Sequence, residues 1–123
     1  MRILLPLLVL QGFALQAHAE LVSRSEHDAY VVIMKADPVI SYRGEIKKLP
    51  ATRPGKGKKL NPNSAHVRKY QDFLRKGHAQ VIDAAGVAPS QVTHDYSVAL
   101  NGFAAIMSHE QASRVAMQKG VAL

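Results

Sequence analysis

The chain has no cysteine and no tryptophan among its 123 residues, and it sets only 9 acidic residues against 16 lysines and arginines. Without thiols there is no disulfide framework and no cysteine-anchored zinc site. The fold therefore stands on packing alone, or on packing plus a partner. No internal repeat and no coiled-coil heptad is present. No serine sits in a G-x-S-x-G turn, and His94 and Asp95 are neighbours on an expected strand, so they point to opposite faces and cannot share a triad. His27, His66, His78, His94 and His109 form no H-x-x-x-H pair. The chain is read as non-catalytic, with no metal and no cofactor. His66 and His78 are expected on the exposed side of a helix, and His94 on the same strand face as Tyr96.

Ile3–Leu15 is the one long apolar run, and thirteen residues are too few to span a bilayer as a helix. Arg2 precedes it, and Ala17-His18-Ala19 places small residues where a signal peptidase reads them. Residues 1–19 are expected to be a signal peptide cut after Ala19, with Ala17 and Ala19 as the cleavage determinants. No basic stop-transfer flank follows, so no stable membrane anchor is expected and the chain is read as secreted.

The positive charge is uneven. Arg43, Lys47, Lys48, Arg53, Lys56, Lys58 and Lys59 lie in one segment with Pro50, Pro54, Gly55, Gly57 and Pro62, opposed there by Glu45. The segment shows neither a period of 2 nor of 3.6, so residues 37–62 are expected to form a long exposed loop. Such a patch suits nucleic acid or an anionic surface. A solvated insertion that stays off the core is the preferred reading, because no aromatic residue follows Tyr42 to stack a base.

After a polar lead-in at 20–29, Tyr30–Ala36 reads as a first strand. A helix is expected from about Ser64 to Ala85, with Val67, Tyr70, Leu74, Val81 and Ala84/Ala85 on its apolar stripe. Gly77 interrupts that stripe and is a place where a strand could approach closely. Gly86 and Pro89 stop the helix. Val92–Val98 is expected as the second strand. Asn101-Gly102 reads as a tight hairpin turn, because both residues tolerate a left-handed backbone. Gly102–Met107 is the third strand, and Ser108 with Gln111 forms a capping box that starts a second helix. Gly120 ends that helix, and Val121-Ala122-Leu123 starts a fourth strand. The order β-α-β-β-α-β predicts an α+β, ferredoxin-like sandwich: a four-stranded antiparallel sheet, order 4-1-3-2, with two helices on one face.

The strand faces carry the functional clue. Val92, His94, Tyr96 and Val98 alternate with polar residues, which suits an edge strand. Tyr30–Met34 and Phe103–Met107 are apolar without a break, which implies burial on both faces. Two helices cover one face only. The other is expected to be an apolar patch that a protein partner shields.

YVVIMK, the helical Tyr70-Gln71-Asp72-Phe73-Leu74, then Tyr96–Ala105 (YSVALNGFAA), a capped helix and Gly120-Val121 resemble the propeptide of secreted subtilisin-like serine proteases, the subtilisin propeptide or proteinase inhibitor family. The likeness covers residues 30–123. It implies a ferredoxin-like fold, an intramolecular chaperone that templates its protease, and a temporary inhibitor whose open sheet face sits against that protease. The segment after strand four would lie in the active-site cleft like a bound product. The partner is then a subtilisin-like protease domain, in cis after Leu123 or in trans, and a full-length precursor would be a serine endopeptidase. The basic loop is longer than the family pattern, and the fourth strand is cut short at Leu123, so the isolated domain is expected to be marginally stable and to complete its folding on the protease.

Tyr30, Val32, Met34, Tyr96, Phe103, Ala105 and Met107 are the expected contact residues, or else the opposite register of the same strands. A free-standing secreted inhibitor is the alternative. An RNA-recognition motif shares the topology, but Asn101–Ser108 matches its third-strand string only at Gly102, Phe103 and Ala104, so no nucleic acid is expected.

Overall fold

A computed structural model describes residues 26–123. The expected signal segment 1–19, with Ala17 and Ala19, and residues 20–25 of the lead-in lie outside the described residues. The elements are β1 (His27–Ile33), α1 (Ala65–Ala84), a 3-10 turn (Pro89–Gln91), β2 (Val92–Tyr96), β3 (Gly102–Ser108) and α2 (His109–Ala116). The class is α+β, and the strands form an antiparallel sheet in the order β1-β3-β2. Residues 121–123 contribute one antiparallel bridge, Met34 to Val121. There the Ile33 amide donates to the Leu123 carbonyl at 2.9 Å, and the Ala122 amide donates to the Ile33 carbonyl at 2.7 Å. The expected fourth strand is thus present only as this short contact.

Both helices lie on one side of the sheet. Val81 from α1, Ala85 at its C-cap and Val115 from α2 close over Val32, Phe103, Ala105 and Met107, all of them buried. Capping sets the joints. The Gln111 amide donates to the Ser108 hydroxyl, and the Ser108 amide donates to Gln111 Oε1, each at 3.1 Å, which satisfies two donors that a helix start leaves open. Gly86 takes φ +71 just after α1, a left-handed stop that a side chain would resist, and Arg114 Nε donates to the Ala85 carbonyl at 2.8 Å beside it.

Three expectations change. First, Asn101-Gly102 is not a two-residue turn. Neither residue has positive φ, the connection spans residues 97–101, and Gly102 already belongs to β3. Asn101 is buried instead, its Nδ2 donating to the Ala36 carbonyl at 2.9 Å. Gly102 is there for close approach: a Cβ at that position would fall 1.9 Å from the Val32 carbonyl oxygen. Second, Gly77 admits no strand, since nothing approaches within 4 Å of where its Cβ would be.

Third, residues 37–62 are not a solvated insertion held off the core. They fold into a lobe with a core of its own. Val39 and Tyr42 are buried against Val67, Tyr70 and Leu74 on the first half of α1. The Tyr42 and Tyr70 rings stack at 3.8 Å, and the Tyr42 hydroxyl donates to the Leu49 carbonyl at 2.6 Å while accepting from the Ile46 amide at 3.0 Å. Buried Thr52 donates to the Val39 carbonyl at 2.6 Å. Tyr42 and Val39, with the partly buried Leu49 and Leu60, anchor this otherwise polar segment on the first half of α1.

Candidate functional site

The lobe leaves the far face of the sheet uncovered. Register shows what that face presents. Val31 of β1 and His94 of β2 are both opposite Ala104, Ile33 and Tyr96 are both opposite Gly102, and Ala29 is opposite Ile106. These cross-strand rows share one face because side chains alternate along a strand. Val31 is 59% exposed and Ile106 40%, while Ile33, Ala104 and Tyr96 are half-buried. The His94 and Tyr96 rings lie parallel at 6.0 Å. The patch is apolar at the centre, with an aromatic pair along the β2 edge.

A bulge between Val92 and His94 sets the phase of β2. Val92 packs against the main core, opposite the buried Ala105. The extra residue then turns His94 and Tyr96 to the open face, so the expected unbroken alternation from Val92 to Val98 does not hold.

The seven expected contact residues divide. Val32, Phe103, Ala105 and Met107 lie under the helices, with Tyr30 and Met34 packed half-buried beside them. Tyr96 is on the open face. The opposite register, left open by the sequence, is the one turned outward. Unbroken apolar runs carry no phase, and only the helix stripe above the sheet selects which parity is covered. Phe103 is wholly buried on the helix side, so the aromatic that an RNA-recognition motif would stack on bases is not on the open face. Of the turn and cap residues, Asn101, Gly102, Ser108 and Gln111 serve the scaffold as described. Gly120, with φ +94, accepts from the Lys35 amide at 2.7 Å.

On the covered side, a polar group escaped the sequence reading. His78 is not on the exposed side of α1; it is 2% exposed. It stands four residues after Leu74 and three before Val81, squarely on the apolar stripe, so helical spacing was the signal that marks it. Nδ1 meets Asp95 Oδ1, and Nε2 meets Asn101 Oδ1. Because the Asn101 amide nitrogen already donates to Ala36, its oxygen is the atom facing His78. Nε2 thus faces the Asn101 amide oxygen and Nδ1 faces the Asp95 carboxylate, so neither ring nitrogen is left without a partner. Arg75 Nε reaches Asp95 Oδ2 at 3.2 Å on the rim. This network joins α1, β2 and the 97–101 connection, and it holds no nucleophile. Among the described residues no cluster of histidine and carboxylate groups has metal-binding geometry, and no helix is long and apolar enough to cross a membrane.

The sequence pattern of peptidase inhibitor I9 matches residues 29–123. The chain belongs to the peptidase inhibitor I9 family. That family is an inhibitor domain and not a catalytic one. Among curated proteins the chain is similar to Subtilisin-like protease SBT2.5 of Arabidopsis thaliana, 32% identical over 95 residues. It is also similar to Subtilisin-like protease SBT2.6 of the same plant, 30% identical over 95 residues. In each case the match covers 76% of this chain and 12% of the relative, so the chain spans about an eighth of their length. No solved structure matches.

Proposed function

We propose that this domain binds a subtilisin-like serine protease through the open face of its sheet, inhibits it, and templates its folding as a propeptide does, whether the two are joined in one precursor or meet as separate chains. The observation that carries the reading is the uncovered patch of Val31, Ile106 and Tyr96 in a peptidase-inhibitor domain whose basic segment packs elsewhere. Apolar groups of this kind on a sheet gain by burial against a partner. The Met34–Val121 bridge lies where a ferredoxin-like sheet in the order 4-1-3-2 has its outer strand, and binding a protease is a natural point for that strand to lengthen. Export to the cell exterior belongs to the same reading.

The test is direct. The chain is added to a subtilisin and hydrolysis of a chromogenic peptide is followed. Inhibition at micromolar concentration or below is expected, together with faster recovery of activity when the denatured enzyme is refolded in its presence. Inhibition without assisted refolding would remove the chaperone half of the proposal. No slowing of hydrolysis at micromolar concentration with any subtilisin-like enzyme tried would remove the whole.

A further inference from the structure

The lobe at 37–62 is left over from the inhibitor reading, and its charges are organised. It holds seven of the chain's 16 lysines and arginines against Asp37 and Glu45. Among the described residues none of the seven has a carboxylate within ion-pairing distance. Burial raises the pKa of the Tyr70 phenol, and Asp37, then Tyr42 and Glu45, add to that rise. The amides of Thr52 and Arg53 both donate to the Tyr42 carbonyl, at 3.1 and 3.0 Å, which sets Arg53 beside Arg43. A tight turn follows, with the Lys58 amide donating to the Gly55 carbonyl at 2.9 Å, and it carries Lys56 outward. Arg43, Arg53 and Lys56 converge on a recess of about 670 Å³ whose other walls are Ala51, Pro54 and Gly55. No acid lines it.

We propose that this recess and the lysines around it bind an anionic polysaccharide, one bearing sulfate or carboxylate groups at regular spacing. Two guanidinium groups and an ammonium at one concavity suit planar or tetrahedral oxyanions, which arginine grips with paired N–H groups. The recess also excludes the main alternatives. A single-stranded nucleic acid needs exposed rings to stack its bases, and the lobe's only aromatic residue, Tyr42, is buried against Tyr70. A protein partner needs a desolvated apolar or aromatic anchor, and none lines this recess. What remains is a polymer recognised by charge with little apolar surface. Binding of this kind would hold the domain on an acidic matrix by a surface separate from the open sheet face.

The experiment uses the full chain without any protease, so its outcome is independent of the inhibitor reading. Binding to fluorescein-labelled heparin, which is sulfated, and to labelled polygalacturonate, which carries carboxylates, is measured by fluorescence anisotropy at low salt and at about 0.3 M salt, where screening shortens the reach of surface charge. Binding of at least one probe, weakened by salt, is expected. R43Q/R53Q/K56Q should lower that affinity about tenfold or more. R68Q/K69Q/K76Q, an equal charge loss on exposed positions of α1, should lower it less than about threefold. Heparin alone binding assigns sulfate as the preferred group, and polygalacturonate alone assigns carboxylate. The single K56Q, at an exposed position in the turn, should give a partial loss and serves if the triple variant does not fold. Absence of binding to both probes overturns the proposal. So does equal loss in the two triple variants, or duplex DNA binding more tightly than both polysaccharides through the same three residues.

Discussion

Val31 and Val32 are adjacent in β1 and face opposite ways, which makes them a paired test of the docking face. Val31 is 59% exposed and Val32 is 4% exposed. Burying a whole valine side chain is worth roughly 1.5–3 kcal/mol, so covering the exposed part of Val31 on a partner contributes about 1–2 kcal/mol. An aspartate at that contact would be desolvated without a counter-charge, which adds a penalty of at least about 2 kcal/mol. Together Val31→Asp should weaken inhibition of a subtilisin by about 3–4 kcal/mol, roughly a hundred- to a thousandfold. In the free domain the same change sits in water and costs up to about 1 kcal/mol of strand preference, a fall in Tm of about 4–8 °C for a domain of this size. Val32→Asp puts a lone charge beside Phe103 and Met107, in the range above about 4–5 kcal/mol that unfolds small domains. Inhibition constants from progress curves and thermal melts by circular dichroism read both. If Val31→Asp inhibits as well as the parent while remaining folded, the open face is not where the protease binds. If Val32→Asp melts like the parent, the assignment of faces is wrong.

Two further outcomes follow from the covered side. Asp95→Asn weakens the hydrogen-bond partner of buried His78 and removes the ion pair with Arg75 on the rim; Asp95 is partly exposed, so the loss should be about 1–3 kcal/mol in urea unfolding, and an unchanged midpoint would show the network to be idle. The Tyr70 phenol donates to the Asp37 carbonyl at 2.6 Å, and its pKa is raised first by burial and then by the Asp37 carboxylate, with smaller contributions from Tyr42 and Glu45. A raised folded-state pKa means that the unfolded phenol loses its proton first, near pH 10, so this contribution is complete below about pH 10 and is lost as pH climbs beyond it. Tyr70→Phe should therefore lower stability at neutral pH and flatten the alkaline decline; equal slopes above pH 10 in the two proteins would refute the cause.

Periodicity made α1 legible almost residue by residue, since Val67, Tyr70, Leu74, Val81 and Ala85 are the buried stripe. The Ser108–Gln111 cap was equally plain, because a capping box is local chemistry. What the sequence hid has a common cause: it depends on contacts remote in the chain. Asn101-Gly102 has turn chemistry, yet His78 and Ala36 recruit the asparagine amide, and the Val32 carbonyl claims the space a side chain at 102 would need. The β1 start at His27 was missed because its first residues are polar on an exposed strand end. The bulge in β2 leaves no composition signal. Burial of Tyr42 in a lysine-rich segment is visible only once Tyr70 is seen to lie against it.

The lobe explains why the open face stays bare even though the chain has material to spare. Residues 37–62 could shield an apolar sheet only by offering apolar side chains, and those buried most deeply, Val39 and Tyr42, are committed to the end of α1. Their partners Val67, Tyr70 and Leu74 lie on the half of the helix that precedes the sheet-covering Val81 and Ala85. Without the lobe that half would itself be an exposed apolar stripe. The chain thus completes its helix before its sheet, and the uncovered surface is the one with matched cross-strand rows and no buried polar group to satisfy. A partner that binds it at a concentration a hundredfold above Kd would add about 2.7 kcal/mol to folding, a large increment for a domain held by two small clusters and no disulfide. In the proposed reading docking and stability are therefore linked: a protein that covered Val31 and Ile106 would also supply what the sheet lacks on its own.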